Sequence, residues 1–320
     1  MADDIAAASM DESFALGRRL LIGDGAPFQP EEGARLIKKA AEQGLVDAIA
    51  LQATIAAAGV GRPVDFNEAF DWLEKAAAAG HVRAAAQLDL IADAWGSGDP
   101  ATCARRRISL DAWLKPPPRE ILSDAPRLRT IAGFLTPVVC RWIMEMARGR
   151  LNRAMMFNPV TKRDEPHPGR DSQLYIVDIT AADVVFALVR ARMSAALKIP
   201  SACFEPTQIL QYDTGQTFLP HYDYLEGRTF TAYDSGQAYE GQRIVTFLVY
   251  LNDEYDGGET AFPKVGLKHK GRAGDALFFA NVDLDQKPDK QTLHAGLAPT
   301  GEKWLLSQWI HDRPFTAVQG

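Results

Sequence analysis

The segment LPHYDYLEG sets an imidazole and a carboxylate two residues apart, His221 and Asp223, and in a strand that spacing points both side chains to one face. A metal site needs at least one further ligand. His294, in TLHAGLAPTGEKW, completes a set of two histidines and one carboxylate. Three facial ligands of this kind leave open positions on iron(II) for a bidentate cosubstrate and dioxygen. A His-x-Asp pair alone equally fits a surface strand carrying two polar residues. Lys303 adds weight, because it lies nine residues beyond His294 on KWLLSQWIH, where a buried ammonium would meet the distal carboxylate of 2-oxoglutarate. Without an anion, burying that lysine would be costly.

The other candidates read as structural. His167 sits in the Pro/Gly-containing stretch RDEPHPGRDS and takes no metal role. His269, in GLKHKGRAGD, fits a solvated turn whose neighbours Lys268, Lys270 and Arg272 would attract an acidic partner. His81 follows a glycine and His311 ends a strand; both read as structural or solvent-facing. Gly257 and Gly258 in YDGGETAF fit a turn between strands, since no following lysine or helix makes them a phosphate loop.

The elements that must carry these residues change character along the chain. From about residue 206, short strands alternate with turn residues: TQILQY, FLPHYDY, RIVTFLVYL, ETAF, DALFFAN, TLHAG and KWLLSQWIH. Strands in such succession imply a sandwich or barrel, here a double-stranded β-helix of jelly-roll type. RIVTFLVYL is apolar on both faces apart from Thr246 and Tyr250, as expected of a strand covered on both sides. Thr136 with Pro137 opens one supporting helix, and Thr180 with Asp183 opens another. On KWLLSQWIH, Lys303 and Trp309 share a face, so Trp309 is either pocket wall or core.

The first hundred residues are alanine-rich and self-similar. LIKKAAEQGLVDA matches WLEKAAAAGHVRA at an offset of 36 residues, with Gly44 and Gly80 suited to helix ends. The expected fold class is α+β, with residues 1–96 a helical repeat domain, 97–126 a linker containing PPP, and 127–320 the barrel domain.

A formal net charge of -6 and a pI near 5.6 exclude a broad nucleic-acid footprint. Cys103, Cys140 and Cys203 are widely spaced, in neither a disulfide framework nor a zinc ribbon. No signal-like start and no membrane-spanning apolar run is present. The expectation is a cytoplasmic protein without a membrane partner.

Residues 10 to 95 resemble Sel1-like repeats, relatives of the tetratricopeptide arrays. That resemblance implies either an extended surface for a peptide or protein or a cap over the neighbouring domain. Three later blocks, QYDTGQTFLPHYDY, RIVTFLVYLNDEYDGGETAFP and GDALFFANVDLDQKPDKQTLHAGLAPTGEKWLLSQW, resemble the prolyl 4-hydroxylase-like oxygenases in order and approximate spacing. The resemblance covers about residues 127 to 313. It implies Fe(II) at His221, Asp223 and His294, and 2-oxoglutarate at Lys303 with a hydrogen bond from Tyr212 or Thr246. It also implies hydroxylation of a C–H bond coupled to decarboxylation of 2-oxoglutarate, with ascorbate as a helper and a prolyl residue of a polypeptide as substrate. The alternatives are a scaffold or 2-oxoglutarate sensor with little turnover, or a hydroxylase of a small metabolite. Two departures from the family pattern stand out: LAPTG is one residue short between His294 and Lys303, and GRDSQLY, with Arg170 at the substrate side, replaces an Arg-Thr-Ser block.

Overall fold

The computed structural model describes residues 9–95, 103–158, 163–166, 169–226, 229–231 and 238–314. The chain forms two compact units, Met1–Lys115 with Asp178–Ala196, and Pro116–Val177 with Leu197–Gly320.

The first unit is built on helices α1 (Met10–Ile22), α2 (Pro30–Glu42), α3 (Val46–Ala58), α4 (Phe66–Ala78) and α5 (Val82–Asp93). Their starts repeat every 36 residues, α1 to α3, α2 to α4 and α3 to α5. Gly44 and Gly80 turn the chain after α2 and α4 at φ of 95° and 92°, a left-handed conformation that costs glycine least. His81 is an N-cap, its Nδ1 accepting the Ala84 N–H at 3.0 Å, so its role is structural.

The stretch expected as a linker is only partly one. It contains α6 (Ala104–Arg107), α7 (Leu110–Leu114) and strand β1 (Glu120–Asp124), leaving the three prolines in irregular chain. Trp113 gives α7 its anchor: it is fully buried and its indole donates to the Ile91 carbonyl at 3.0 Å.

Helix α8 (Pro137–Ala147) begins at Thr136–Pro137 as expected, although the threonine side chain makes no capping bond. Helix α9 (Val184–Leu197) corrects the expected boundary, because residues 178–196 belong to the repeat unit and not to the barrel. Its polar start explains this. Asp183 accepts the Phe186 N–H at 2.9 Å and pairs with Arg83 at 2.9 Å, while Gln87 on α5 accepts the Val184 N–H at 3.0 Å. Further along, Arg192 donates to the carbonyls of Ala112 and Trp113. Residues 1–96 are therefore not self-contained.

The second unit holds β1 and the strands β2 (Arg127–Ile131), β3 (Asn152–Arg153), β4 (Met155–Asn158), β5 (Arg163–Pro166), β6 (Gln173–Val177), β7 (Thr207–Tyr212) and β8 (Phe218–His221). They are followed by β9 (Thr229–Thr231), β10 (Ala238–Glu240), β11 (Arg243–Tyr250), β12 (Thr260–Phe262), β13 (Leu267–His269), β14 (Ala276–Ala280), β15 (His294–Gly296) and β16 (Lys303–His311). An eight-stranded sheet runs β1-β2-β14-β11-β16-β7-β6-β3 and a four-stranded sheet β13-β12-β15-β8, while β4 pairs with β5 and β9 with β10. The pairings are antiparallel, and the two larger sheets make the double-stranded β-helix.

Period-two alternation sorts the side chains. Leu210, Tyr212, Leu248, Tyr250, Leu277, Phe279 and Leu305 from the large sheet meet Phe262 of the small one in a single buried cluster. On the opposite face of β11, Phe247 packs against Phe134 and Phe278, so this strand is covered on both sides. Two strand expectations need correction. The strand FLPHYDY ends at His221, leaving Asp223 beyond it, and His269 lies on β13 paired with β12 instead of in a turn.

Replacing Asp183 with alanine removes a helix cap and an ion pair together, and the expected loss is about 1–2 kcal/mol of stability by urea denaturation. Deleting residues 1–96 strips α9 of its α5 partners, and a lowered melting temperature of the remainder would register the loss.

Candidate active site

His221 on β8 and His294 on β15 are paired in register, and their rings stand with centroids 4.2 Å apart. In each ring Nδ1 faces a backbone carbonyl, that of Leu219 at 2.8 Å and of Thr292 at 3.0 Å. A carbonyl only accepts, so Nδ1 carries a proton and the neutral ring offers its Nε2 lone pair. Those two Nε2 atoms converge on Asp223, at 3.6 Å from Oδ1 for His221 and 3.3 Å from Oδ2 for His294. The donor atoms of the three residues lie within 4.8 Å of one another, and no second such cluster occurs among the described residues. Nitrogen and carboxylate donors of this kind, with both tautomers preset, fit a six-coordinate iron(II) with open positions.

Asp223 is 4% exposed. Burial opposes its charge, but His294, His221 and the Thr246 hydroxyl together hold its carboxyl well below the usual range. Burial, joined by the neighbouring His294, pushes His221 down to about 4. Burial also opposes charging of His294, yet Asp223 beside it raises that ring above its ordinary value. Thr246 donates to Asp223 Oδ2 at 2.7 Å and accepts from Asn281 at 3.0 Å. It is absent from the cavity wall.

That wall is formed by the three metal-ligand candidates together with Arg170, Gln208, Leu210, Tyr212, Phe218, Leu248, Thr260, Ala295, Gly296, Lys303, Leu305, Ser307 and Trp309. Lys303 is 1% exposed and stands opposite Tyr212 in the β16–β7 register. Its ammonium donates to the Gly258 carbonyl at 2.6 Å and lies 5.1 Å from the Tyr212 ring centroid. An ammonium has three donors, so it keeps hydrogens to offer an anion in the cavity. Burial pushes it down to about 8, with Glu259 acting against that shift. The shortened LAPTG segment is held by the Gly258 N–H to the Ala298 carbonyl at 3.1 Å and the Gly215 N–H to the Pro299 carbonyl at 2.9 Å.

Trp309 is half-buried and faces the cavity, with an indole N–H that has no partner among the described residues. Arg243 lies 3.7 Å over its ring and binds Glu205 through two nitrogens at 2.6 and 3.0 Å. Burial opposes the charge on Glu205, but Arg243 and His311 more than offset it. His311 donates to Glu205 at 2.6 Å and is buried, which removes the solvent-facing option. Arg170 is 5% exposed, donates to Gln208 at 3.1 Å and lies 4.8 Å over Phe218. Burial lowers its pKa, and no carboxylate among the described residues pairs with it. His167 lies outside the described residues.

Sequence reasoning missed Thr260, Gln208 and Ser307 as wall residues. The last two follow from stepping two residues at a time along β7 and β16 from Tyr212 and Lys303, and that signal was available. Thr260 owes its place to the end of a glycine turn, with its hydroxyl 2.9 Å from that of Tyr250.

Residues 207–311 match the model of the 2OG-Fe(II) oxygenase superfamily, and residues 13–45 and 56–81 match the Sel1 repeat. Among similar proteins, probable prolyl 4-hydroxylase 6 of Arabidopsis thaliana is 34% identical over 215 residues, covering 61% of this chain and 72% of that protein. Prolyl 4-hydroxylase 1 of the same plant is 28% identical over 209 residues, with the same coverage. The solved viral collagen prolyl hydroxylase of Paramecium Bursaria Chlorella virus-1 is 26% identical, covers 59% of this chain and 98% of its own, and superposes with a TM-score of 0.41.

If Thr246 serves Asp223, then Thr246→Val lowers metal affinity about ten- to hundredfold. Cosubstrate affinity measured at saturating metal stays near wild type, and calorimetric titration of each separates the two effects. Metal binding is also pH-dependent, because the proton that Asp223 favours on His294 must leave. Affinity therefore rises with pH through the range where His294 titrates and falls about tenfold per unit below it.

Proposed function

The chain belongs to the prolyl 4-hydroxylase family of 2OG-Fe(II) oxygenases, and we propose that it hydroxylates prolyl residues of a peptide or protein at ring carbon C4. The observation that carries this reading is one cavity bounded by a preset two-histidine, one-carboxylate set and a buried ammonium with donors to spare.

When bound, iron(II) and 2-oxoglutarate supply the oxidising chemistry, in which dioxygen gives one atom to succinate and one to a substrate C–H bond while carbon dioxide leaves. His221, Asp223 and His294 would hold the metal, with the Leu219 and Thr292 carbonyls keeping each ring in its ligating tautomer. Lys303 would bind the distal carboxylate, with Tyr212 and Thr260 beside it on the same wall. Leu210, Leu248 and Leu305 line the same cavity and would help exclude water, which strengthens both charged contacts. Thr246 would orient Asp223 instead of touching the cosubstrate. Trp309 and Arg170 would wall the substrate side, the former steadied by Arg243.

The repeat unit would hold the polypeptide while the barrel reaches one residue. An extended helical surface supports this, since a free metabolite gains little from one. Binding contributed by remote contacts lowers KM more than it changes the chemical step. Longer proline-containing substrates should therefore show lower KM than short peptides at similar kcat. Ascorbate would sustain repeated turnover by returning oxidised iron to iron(II).

Incubation of candidate polypeptides with iron(II), 2-oxoglutarate and ascorbate tests the proposal. Succinate formed together with 4-hydroxyproline supports it, whereas oxidation found only on free metabolites or on non-prolyl residues overturns the substrate assignment. Lys303→Met should raise the 2-oxoglutarate dissociation constant about ten- to hundredfold, as expected for losing a charge-assisted bond of about 1.5–3 kcal/mol. Metal content should stay at the wild-type level. In the wild type, Lys303 titrates near 8 before the anion arrives, so affinity should weaken as pH rises above that value.

A further inference from the structure

Lys303 is steadied by its neighbours as well as by its own strand. Its acceptor among the described residues is the carbonyl of Gly258, which sits at φ 67° in the double-glycine turn before β12. A Cβ built at Gly258 would come within 2.8 Å of the Tyr255 ring and 3.2 Å of Lys303 Cδ. Any larger residue would therefore push ring and lysine stem apart. Tyr255 is 6% exposed and also bears on Gly301, whose added Cβ would lie 3.3 Å from that of Tyr255. Lys270 closes the arrangement: its ammonium lies 4.3 Å from the Tyr255 ring centroid and donates to the Tyr255 carbonyl. The Tyr255 hydroxyl is buried without a partner among the described residues, so the ring supplies this position's packing.

We propose that Tyr255, clamped by Lys270, is the positioning residue for the cosubstrate anchor: its ring fixes the Gly257–Gly258 turn so that the Gly258 carbonyl holds the Lys303 ammonium at the cavity wall. This rests on the reading of Lys303 as the 2-oxoglutarate anchor. The clamp also brings a second positive charge near the first. Lys270 disfavours the proton on Lys303, and Glu259 favours it. Removing the Lys270 charge leaves burial as the remaining opponent of that proton, so Lys303 keeps it to higher pH and anion binding persists further into the alkaline range.

The test is calorimetric titration of 2-oxoglutarate into Mn(II)-loaded full-length protein across pH, with Mn(II) affinity as the check on folding. Tyr255→Ala should raise the dissociation constant about tenfold while Mn(II) binding holds, and Tyr255→Phe, which keeps the ring, should restore wild-type affinity. Lys270→Met should move the alkaline midpoint of 2-oxoglutarate binding upward. A folded Tyr255→Ala variant with wild-type affinity overturns the proposal; should that variant fail to fold, wild-type affinity in Tyr255→Leu, which keeps apolar bulk but not the ring, does so. Lys303→Met separates the two levels. If it binds 2-oxoglutarate as the wild type does, the anchor reading itself falls; if it loses affinity while the Tyr255 and Lys270 variants change nothing, only the positioning role falls.

Discussion

A charged carboxylate buried where two sheets meet is the constraint on which the rest of this barrel depends. Asp223 lies beyond the end of β8 at 4% exposure, and an isolated ion there would be expensive. Two imidazoles and a hydroxyl offset that cost, and each partner is delivered by a different element: His221 by β8, His294 by β15 and Thr246 by β11. The β8–β15 register, the backbone carbonyls that preset both rings and the Asn281–Thr246 contact behind the carboxylate all follow from keeping that charge in place. The same convergence suits the cluster to a metal ion, since both Nε2 atoms face the carboxylate and become lone-pair donors once the proton shared with Asp223 is displaced.

The other end of the cavity poses the mirror problem. Lys303 is a cation at 1% exposure whose hydrogen-bond acceptor among the described residues is a peptide carbonyl, and the cavity it shares with the cluster is lined in part by leucines. A divalent cation at the cluster outweighs the single carboxylate, so both ends of the loaded cavity are positive. Such a space favours a dianion with an acidic group at each end, and 2-oxoglutarate has that form. The Gly258 carbonyl and the nearby Glu259 charge offset part of the cost of burying that ammonium.

Much of this was legible in the sequence, for physical reasons that differ by residue. The ends of β7 and β16 were readable because each short run is bounded by turn residues, and the two-residue period of a strand linked Lys303 with Trp309. The three metal-ligand candidates were readable because chelation restricts both residue type and spacing. The partner of Thr246 was not: a hydroxyl on an inward face can meet a cosubstrate or a carboxylate, and only the fold brings it to 2.7 Å from Asp223. Helix α9 was assigned to the wrong unit because it is apolar on nearly every side, so periodicity carries no direction. Its tethers, Arg83 and Gln87, lie far away in sequence. Strand β1 was hidden after three prolines, since its pairing with β2 is set by the neighbouring sheet and not by a pattern of its own.

The most direct measurement is an anaerobic equilibrium titration of 2-oxoglutarate into the protein with and without iron(II), repeated on Asp223→Ala. One cavity that binds the cosubstrate from both ends requires metal-dependent binding at one molecule per chain, largely lost in Asp223→Ala even though Lys303 is intact. Equal affinity with and without metal, or wild-type affinity in Asp223→Ala, would contradict it.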